Sequence, residues 1–165
     1  MATINGTAGD DTLNGTVDGG DDDGDGDDVI SGAFGDDTLT GGNGADTITG
    51  GAGRDTMSGG ADSDSFVFAG GDFGGATRAE ADRITDFASG DRIDLSAVDA
   101  SSLSGGDQAF TFLGTGDFTH SAGELRYEQI NGNTYLSGDT NGDGLADFMI
   151  KLDGLHALSA TDLIL

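Results

Sequence analysis

Residues 32–67 repeat every nine positions as GAFGDDTLT, GGNGADTIT, GGAGRDTMS and GGADSDSFV. Asp37, Asp46, Asp55 and Asp64 occupy one position of the repeat, and Leu39, Ile48, Met57 and Phe66 lie two residues further on. So short a period holds one tight turn and one short strand, which can bury an apolar residue only by stacking on its neighbours. The paired glycines admit positive φ and the close approach of another backbone, as such a turn needs. The triplet around each large apolar residue is a minimal strand with one side chain facing inward. The aspartate supplies a hard carboxylate oxygen, suited to Ca²⁺.

Two repeats complete one coil, so turns two repeats apart stack on the same side. Asp28, Asp46 and Asp64 should then run along one edge, and Asp37 with Asp55 along the other. A calcium ion between stacked turns would take carboxylates from both, together with turn carbonyls. Two weaker repeats precede these. Residues 6–14 carry Asp11 and Leu13 at the key positions, and residues 23–31 carry Asp28 and Ile30. Residues 15–22 read as a degenerate repeat, one residue short and lacking the apolar residue. Asp11 and Asp28 are therefore 17 apart, and a bulged coil is expected there. The acidic run Asp21, Asp22, Asp23, Asp25, Asp27 and Asp28 reads either as an extra calcium site or as a solvated loop. The pattern G-G-x-G-x-D-x-U-x, with U a large apolar residue, is that of the calcium-binding parallel β-roll, and the chain resembles the RTX repeat proteins.

Composition supports turns and metal ligation over a disordered acidic polymer. Of the 31 acids in the 165-residue chain, 28 are Asp and only Glu80, Glu124 and Glu128 are Glu, among 32 glycines. Disordered or helical acidic chains favour Glu, whereas short Asp suits turns and hard cations. The net charge of −25 excludes nucleic acid as a partner and argues against anionic membranes. Cysteine and proline are absent, so metal would have to staple a small extracellular domain. No basic-then-apolar leader occurs in MATINGTAGDD and no apolar run approaches a membrane span, so export is expected by a route without a Sec-type signal.

Beyond residue 67 the composition changes. Seven of the nine Phe residues and both Tyr lie there. Strand-like runs occupy 83–87, 92–98, 108–113, 124–130, 133–137 and 147–152, with Asn131-Gly132 as a hairpin signal. Residues 158–162 suggest a helical turn with Ser159 as its cap. The expected fold is all-β: a right-handed parallel β-roll (6–68), a connector (69–82), and an antiparallel β-rich half (83–165) that caps the roll and supplies the larger core, either as separate parts or as one continuous domain.

The phrases Asp91-Arg92-Ile93-Asp94-Leu95-Ser96 and Asn141-Gly142-Asp143-Gly144-Leu145-Ala146-Asp147-Phe148, with QAFTFLG and the terminal TDLIL, make the chain similar to the C-terminal domain of serralysin-type zinc metalloproteases. That resemblance implies a calcium-binding domain carrying an uncleaved signal, Asp162-Leu163-Ile164-Leu165, read by a type I (ABC) secretion apparatus. It also implies a linked catalytic domain. The protease chemistry does not carry over: H-E-x-x-H is absent and the only histidines are His120 and His156. No nucleophile elbow or phosphate loop is present, so no enzyme activity is expected.

Three further groups stand out. Asp139, Asn141, Asp143, the Leu145 carbonyl and Asp147 could surround a calcium ion, or could form an Asx-rich turn; Ile150 stands where an EF-hand has Glu. Asp86, Asp91 and Asp94 lie close to Arg83 and Arg92, which favours salt bridging at the seam over a metal or catalytic pair. His120 and His156 lack enough neighbouring ligands for zinc.

The sequence thus points to a secreted, calcium-folded secretion and stability module. Its expected metal ligands are Asp11, Asp28, Asp37, Asp46, Asp55, Asp64, Asp139, Asn141, Asp143 and Asp147, holding about four to six ions. The alternative is a calcium-dependent polysaccharide- or surface-binding module, for which Arg78, Arg83, Arg92, Arg126 and Lys151 would have to cluster.

Overall fold

The computed structural model describes residues 3–7, 9, 11–14 and 26–165. The degenerate repeat 15–22 and the acidic run up to Asp25 lie outside the described residues.

Each apolar repeat position forms a strand: β1 (Thr3–Asn5), β2 (Thr12–Asn14), β3 (Val29–Phe34), β4 (Thr38–Asn43), β5 (Thr47–Ala52), β6 (Thr56–Ala61) and β7 (Ser65–Ala69). Odd and even strands pair in parallel in two separate sheets, as a coil of two repeats requires. The strands run further than the expected triplet, because both glycines continue the ladder: Gly42 pairs with Gly60 and Ala33 with Gly51. Gly42 does so at φ 126°, a conformation that a side chain disfavours.

The roll does not end at residue 68. Beyond a nine-residue insertion, β8 (Asp82–Ile84) and β9 (Arg92–Ala97) add one more rung to each sheet. β13 (Phe148–Asp153) then extends one sheet in parallel beside β8, and β14 (Leu163–Ile164) extends the other beside β9. Antiparallel pairing, expected throughout the second half, is confined to β11 (Glu124–Ile130), β12 (Asn133–Asp139) and β13. β10 (Thr111–Phe112) joins β11 in parallel. Asn131 (φ 52°) and Gly132 (φ 81°) turn the β11–β12 hairpin as foreseen. A 3-10 turn at Ala160–Asp162 follows Ser159, where a helical turn was expected.

Two apolar columns face each other across the roll. Ile4, Ile30, Ile48, Phe66, Ile93 and Leu163 stack in one sheet. Leu13, Leu39, Met57, Ile84 and Leu152 stack in the other. Phe68, Phe73 and Phe148 continue this core beyond the roll as stacked rings, with Phe73 and Phe148 centred 4.0 Å apart. One apolar cluster therefore includes residues on both sides of the 69–82 connector.

The first coil departs from the sequence expectation. The spacing of 17 between Asp11 and Asp28 led to the expectation of one bulged coil, but β2 pairs with β4, and Asp11 stacks on Asp37. Thr3–Asn5 forms the strand that precedes Val29 in the other sheet. Both registers step by 26 residues where later coils step by 18, so the two sheets keep their alternation across an eight-residue surplus.

Candidate metal centre

The aspartates of the repeat form two ladders. In the first, the amides of Asp28, Asp46 and Asp64 donate to Oδ1 of Asp46, Asp64 and Asp91 at 2.7, 2.9 and 3.1 Å. In the second, the amides of Asp11, Asp37 and Asp55 donate to Oδ1 of Asp37, Asp55 and Asp82 at 2.7, 2.8 and 2.9 Å. The edge assignment of Asp28, Asp46 and Asp64 against Asp37 and Asp55 follows the sequence register. The carbonyls join in, Asp28, Asp46 and Asp37 accepting from the first strand amides of the next coil.

The other carboxylate oxygen is the informative one. Oδ2 of Asp46, Asp55 and Asp64 is buried without a hydrogen-bond partner. Each points at the glycine five residues earlier: a Cβ on Gly41, Gly50 or Gly59 would overlap it. At Gly41 the same Cβ would also overlap the Gly59 carbonyl of the next coil, so an acid oxygen and a carbonyl oxygen lie on one side of that α-carbon. Burial pushes Asp46, Asp55 and Asp64 up to about 6, with neighbouring carboxylates adding to it. Burial likewise pushes Asp82 up to about 7. A buried acid lacking a partner is costly, and a cation among such oxygens removes the cost. Nowhere among the described residues do three or more Asp, Glu or His side chains form a metal-holding group. The ladders present carboxylates two at a time, so a hard cation of six to eight oxygen ligands must take the rest from backbone carbonyls or water.

Asp82 and Asp91 are the ladder members that sequence reasoning missed. The signal was present: Asp82-Arg83-Ile84 and Asp91-Arg92-Ile93 are nine residues apart and repeat the spacing of Asp to apolar residue. The basic residue at the usual Thr position hid it. The salt bridges expected of Asp86, Asp91 and Asp94 with Arg83 and Arg92 do not form. Arg83 pairs with Asp153, and Arg92 donates to the Thr161 carbonyl at 2.7 Å. Asp86 instead accepts from Ser58 Oγ and the Gly59 and Gly60 amides, and Asp94 from the Ser96 amide and hydroxyl.

In the 139–147 loop, Asp139 and Asp147 come together around the same turn. Asp139 is fully buried and accepts from the amides of Asn141, Gly142 and Gly144. Asp147 accepts from Thr140, through amide and hydroxyl, and from the Asn141 side chain. Asn141 and Asp143 each accept an amide two residues on. His120 closes the loop, its Nδ1 2.8 Å from the Asp143 carbonyl oxygen. His156 contacts the Asp153 carbonyl and the edge of Phe87.

At the C-terminus, Asp162 accepts from the Ser159 amide and hydroxyl. Leu163 is buried against Ile93, Ile164 is more than a third exposed, and Leu165 packs on the core. No helix among the described residues is long and apolar enough to cross a membrane.

Stacked parallel coils with an aspartate ladder on each edge define a nonapeptide β-roll. Residues 23–165 match the peptidase M10 serralysin C-terminal family, and the chain belongs to that family. It is 39% identical over 103 residues to metalloprotease AprA of Pseudomonas entomophila (strain L48), a match covering 61% of this chain and 20% of AprA. The chain thus spans about a fifth of that relative's length. It is also similar to the solution structures of two subunits of the Azotobacter vinelandii mannuronan C5-epimerase. For AlgE6R3 the identity is 34% and the TM-score 0.65, covering 96% of this chain and 80% of that one. For AlgE6R2 the values are 32% and 0.65, covering 97% and 90%.

Proposed function

We propose that this chain is a calcium-folded module, situated C-terminally in an exported protein, that serves its passage through a type I (ABC) apparatus and its stability outside the cell. The observation that carries this reading is the buried, partnerless Oδ2 of Asp46, Asp55 and Asp64, repeated at three successive turns. Calcium would be held along Asp28, Asp46, Asp64 and Asp91 on one edge, and along Asp11, Asp37, Asp55 and Asp82 on the other, with glycine-turn carbonyls. When bound, it supplies the positive charge that cancels stacked carboxylates.

The chain's own residues explain the dependence. Without a cation, the ladders stack like charges, and the core of single apolar columns must also offset the conformational entropy of glycine-rich coils. A site filled at ten times its dissociation constant adds about 1.4 kcal/mol. The six successive aspartate pairs of the two ladders would then add about 8 kcal/mol, comparable to the stability of a whole domain. At cytosolic calcium the chain stays loose enough to thread an exporter. Folding outside opposes its return.

Circular dichroism of chelated protein during calcium titration tests the folding half. The β signal should rise cooperatively with calcium, and a complete signal in chelator would overturn the reading. For the export half, Ile164→Ser changes a side chain that is more than a third exposed. It should leave the calcium midpoint unchanged and reduce secretion by cells that carry the exporter. Undiminished secretion would remove the tail from the signal.

A further inference from the structure

The first aspartate of the second ladder is held differently from the others. Oδ2 of Asp11 accepts from the Thr7 amide at 2.6 Å and from the Thr7 hydroxyl at 2.9 Å. Oδ2 of Asp46, Asp55 and Asp64 has no hydrogen-bond partner. Thr7 stands at the second glycine position of its repeat, where later repeats carry Ala33, Gly42, Gly51 and Gly60. Those four residues all have positive φ, between 82° and 126°, and Thr7 does not. A β-branched residue resists that conformation. The one turn that departs from the repeat's backbone is thus the one that aims donors at its own aspartate.

The rest of this interval keeps the arrangement of the later ones. A Cβ on Gly6 would overlap the Gly32 carbonyl, as one on Gly41 would overlap the Gly59 carbonyl. The acid oxygen has moved: it overlaps a Cβ at Gly41, Gly50 and Gly59, but stands 3.0 Å from one at Gly6. The carbonyl side of the interval is therefore intact, and the carboxylate is turned toward Thr7.

We propose that Thr7 is an autoinhibitory contact on the first interval of this ladder, which makes that interval the last to take calcium. The inference rests on the calcium reading given above. At Asp46, Asp55 and Asp64 a cation meets an oxygen with nothing to displace. At Asp11 it must first break two hydrogen bonds to a charged acceptor, which are of the stronger kind. A weakening of about tenfold in that interval follows. The interior coils close first, and the coil of β1 and β2 closes only at higher calcium.

The test is an NMR calcium titration of the full chain, reading the amide signals of Thr7 and Asp11 against those of Asp46 and Asp64. The Asp11 midpoint should lie about tenfold above the Asp46 midpoint. Thr7→Gly restores the repeat and should bring the Asp11 midpoint down to the Asp46 value, leaving Asp46 and Asp64 unmoved. Glycine by itself weakens a folded coil, so a lower midpoint has the opposite sign to a backbone effect. Thr7→Val removes only the hydroxyl and should lower the midpoint by about threefold. Far-UV dichroism in calcium checks that both variants fold. A wild-type Asp11 signal that saturates together with Asp46, or an Asp11 midpoint that neither variant moves, overturns the proposal while the calcium reading stands. No response at Asp46 and Asp64 overturns both.

Discussion

The amide of Asp55 donates to Oδ1 of Asp82 at 2.9 Å, across 27 positions of sequence and a nine-residue insertion. The same bond links Asp37 to Asp55 across 18. The ladder therefore ignores the interruption: geometry continues where the written repeat stops. What matters is that a strand re-enters beside Met57 with an Asp two residues before its inward side chain, Ile84.

Asp82 and Asp91 should accordingly behave as roll residues. Asp82→Ala or Asp91→Ala removes the acceptor of a buried amide and one oxygen pair of the ladder. Each should destabilise the calcium-loaded protein by about 1–3 kcal/mol and raise the calcium midpoint. Thermal melting in calcium checks this, with Asp94→Ala as comparison. Asp94 bonds only within its own turn and should change little.

Asp46 stands between Asp28 and Asp64, so it takes part in two successive intervals of its ladder. Asp46→Asn keeps an acceptor for the Asp28 amide but removes the charge. Losing two sites filled at ten times their dissociation constants costs about 3 kcal/mol. In chelator the same change should be neutral or stabilising, because it removes a buried carboxylate among like charges. Opposite effects, read from denaturant midpoints in calcium and from residual β dichroism in chelator, are the expected signature.

Gly41→Ala should prevent the roll from closing. Its Cβ would overlap both Asp46 Oδ2 and the Gly59 carbonyl, backbone that cannot move aside without shifting a coil. Gly105→Ala meets nothing within 4 Å and should be silent. The calcium-induced dichroism of the two variants separates them: a Gly41→Ala protein that folds normally would contradict the packing described here.

Acid should stabilise the calcium-free chain. Asp46, Asp55 and Asp64 are raised from 3.8 to about 6 and Asp82 to about 7, chiefly by burial. The folded state thus holds these protons more tightly than the unfolded chain. Their stabilising contribution is complete below about 3.8 and is lost as pH rises through 6 to 7. In chelator, the residual β dichroism should be greater near pH ~5 than near pH ~7.5. Calcium binding needs the ionised form, so its midpoint should move the other way and rise as pH falls.

Sequence and structure divide the molecule along a physical line. The nine-residue period determined the coil, the inward column from Ile30 to Phe66 and the two-edged order of Asp28, Asp46, Asp64 against Asp37 and Asp55, because every one of these follows from a local turn and a fixed step. Asn131-Gly132 was legible for the same reason: its turn requires two positive φ angles and nothing distant. Three things depended on the tertiary structure. Asp11 belongs to the Asp37 edge, because strand pairing, and not residue count, decides which sheet a coil re-enters after an insertion. Asp82 and Asp91 join the ladders because β8 and β9 dock on β6 and β7. Arg54, Arg78, Arg83 and Lys151 share one cavity because β13 lies parallel beside β8. Local chemistry is written in neighbouring letters, whereas non-local pairing is chosen by which buried surfaces fit.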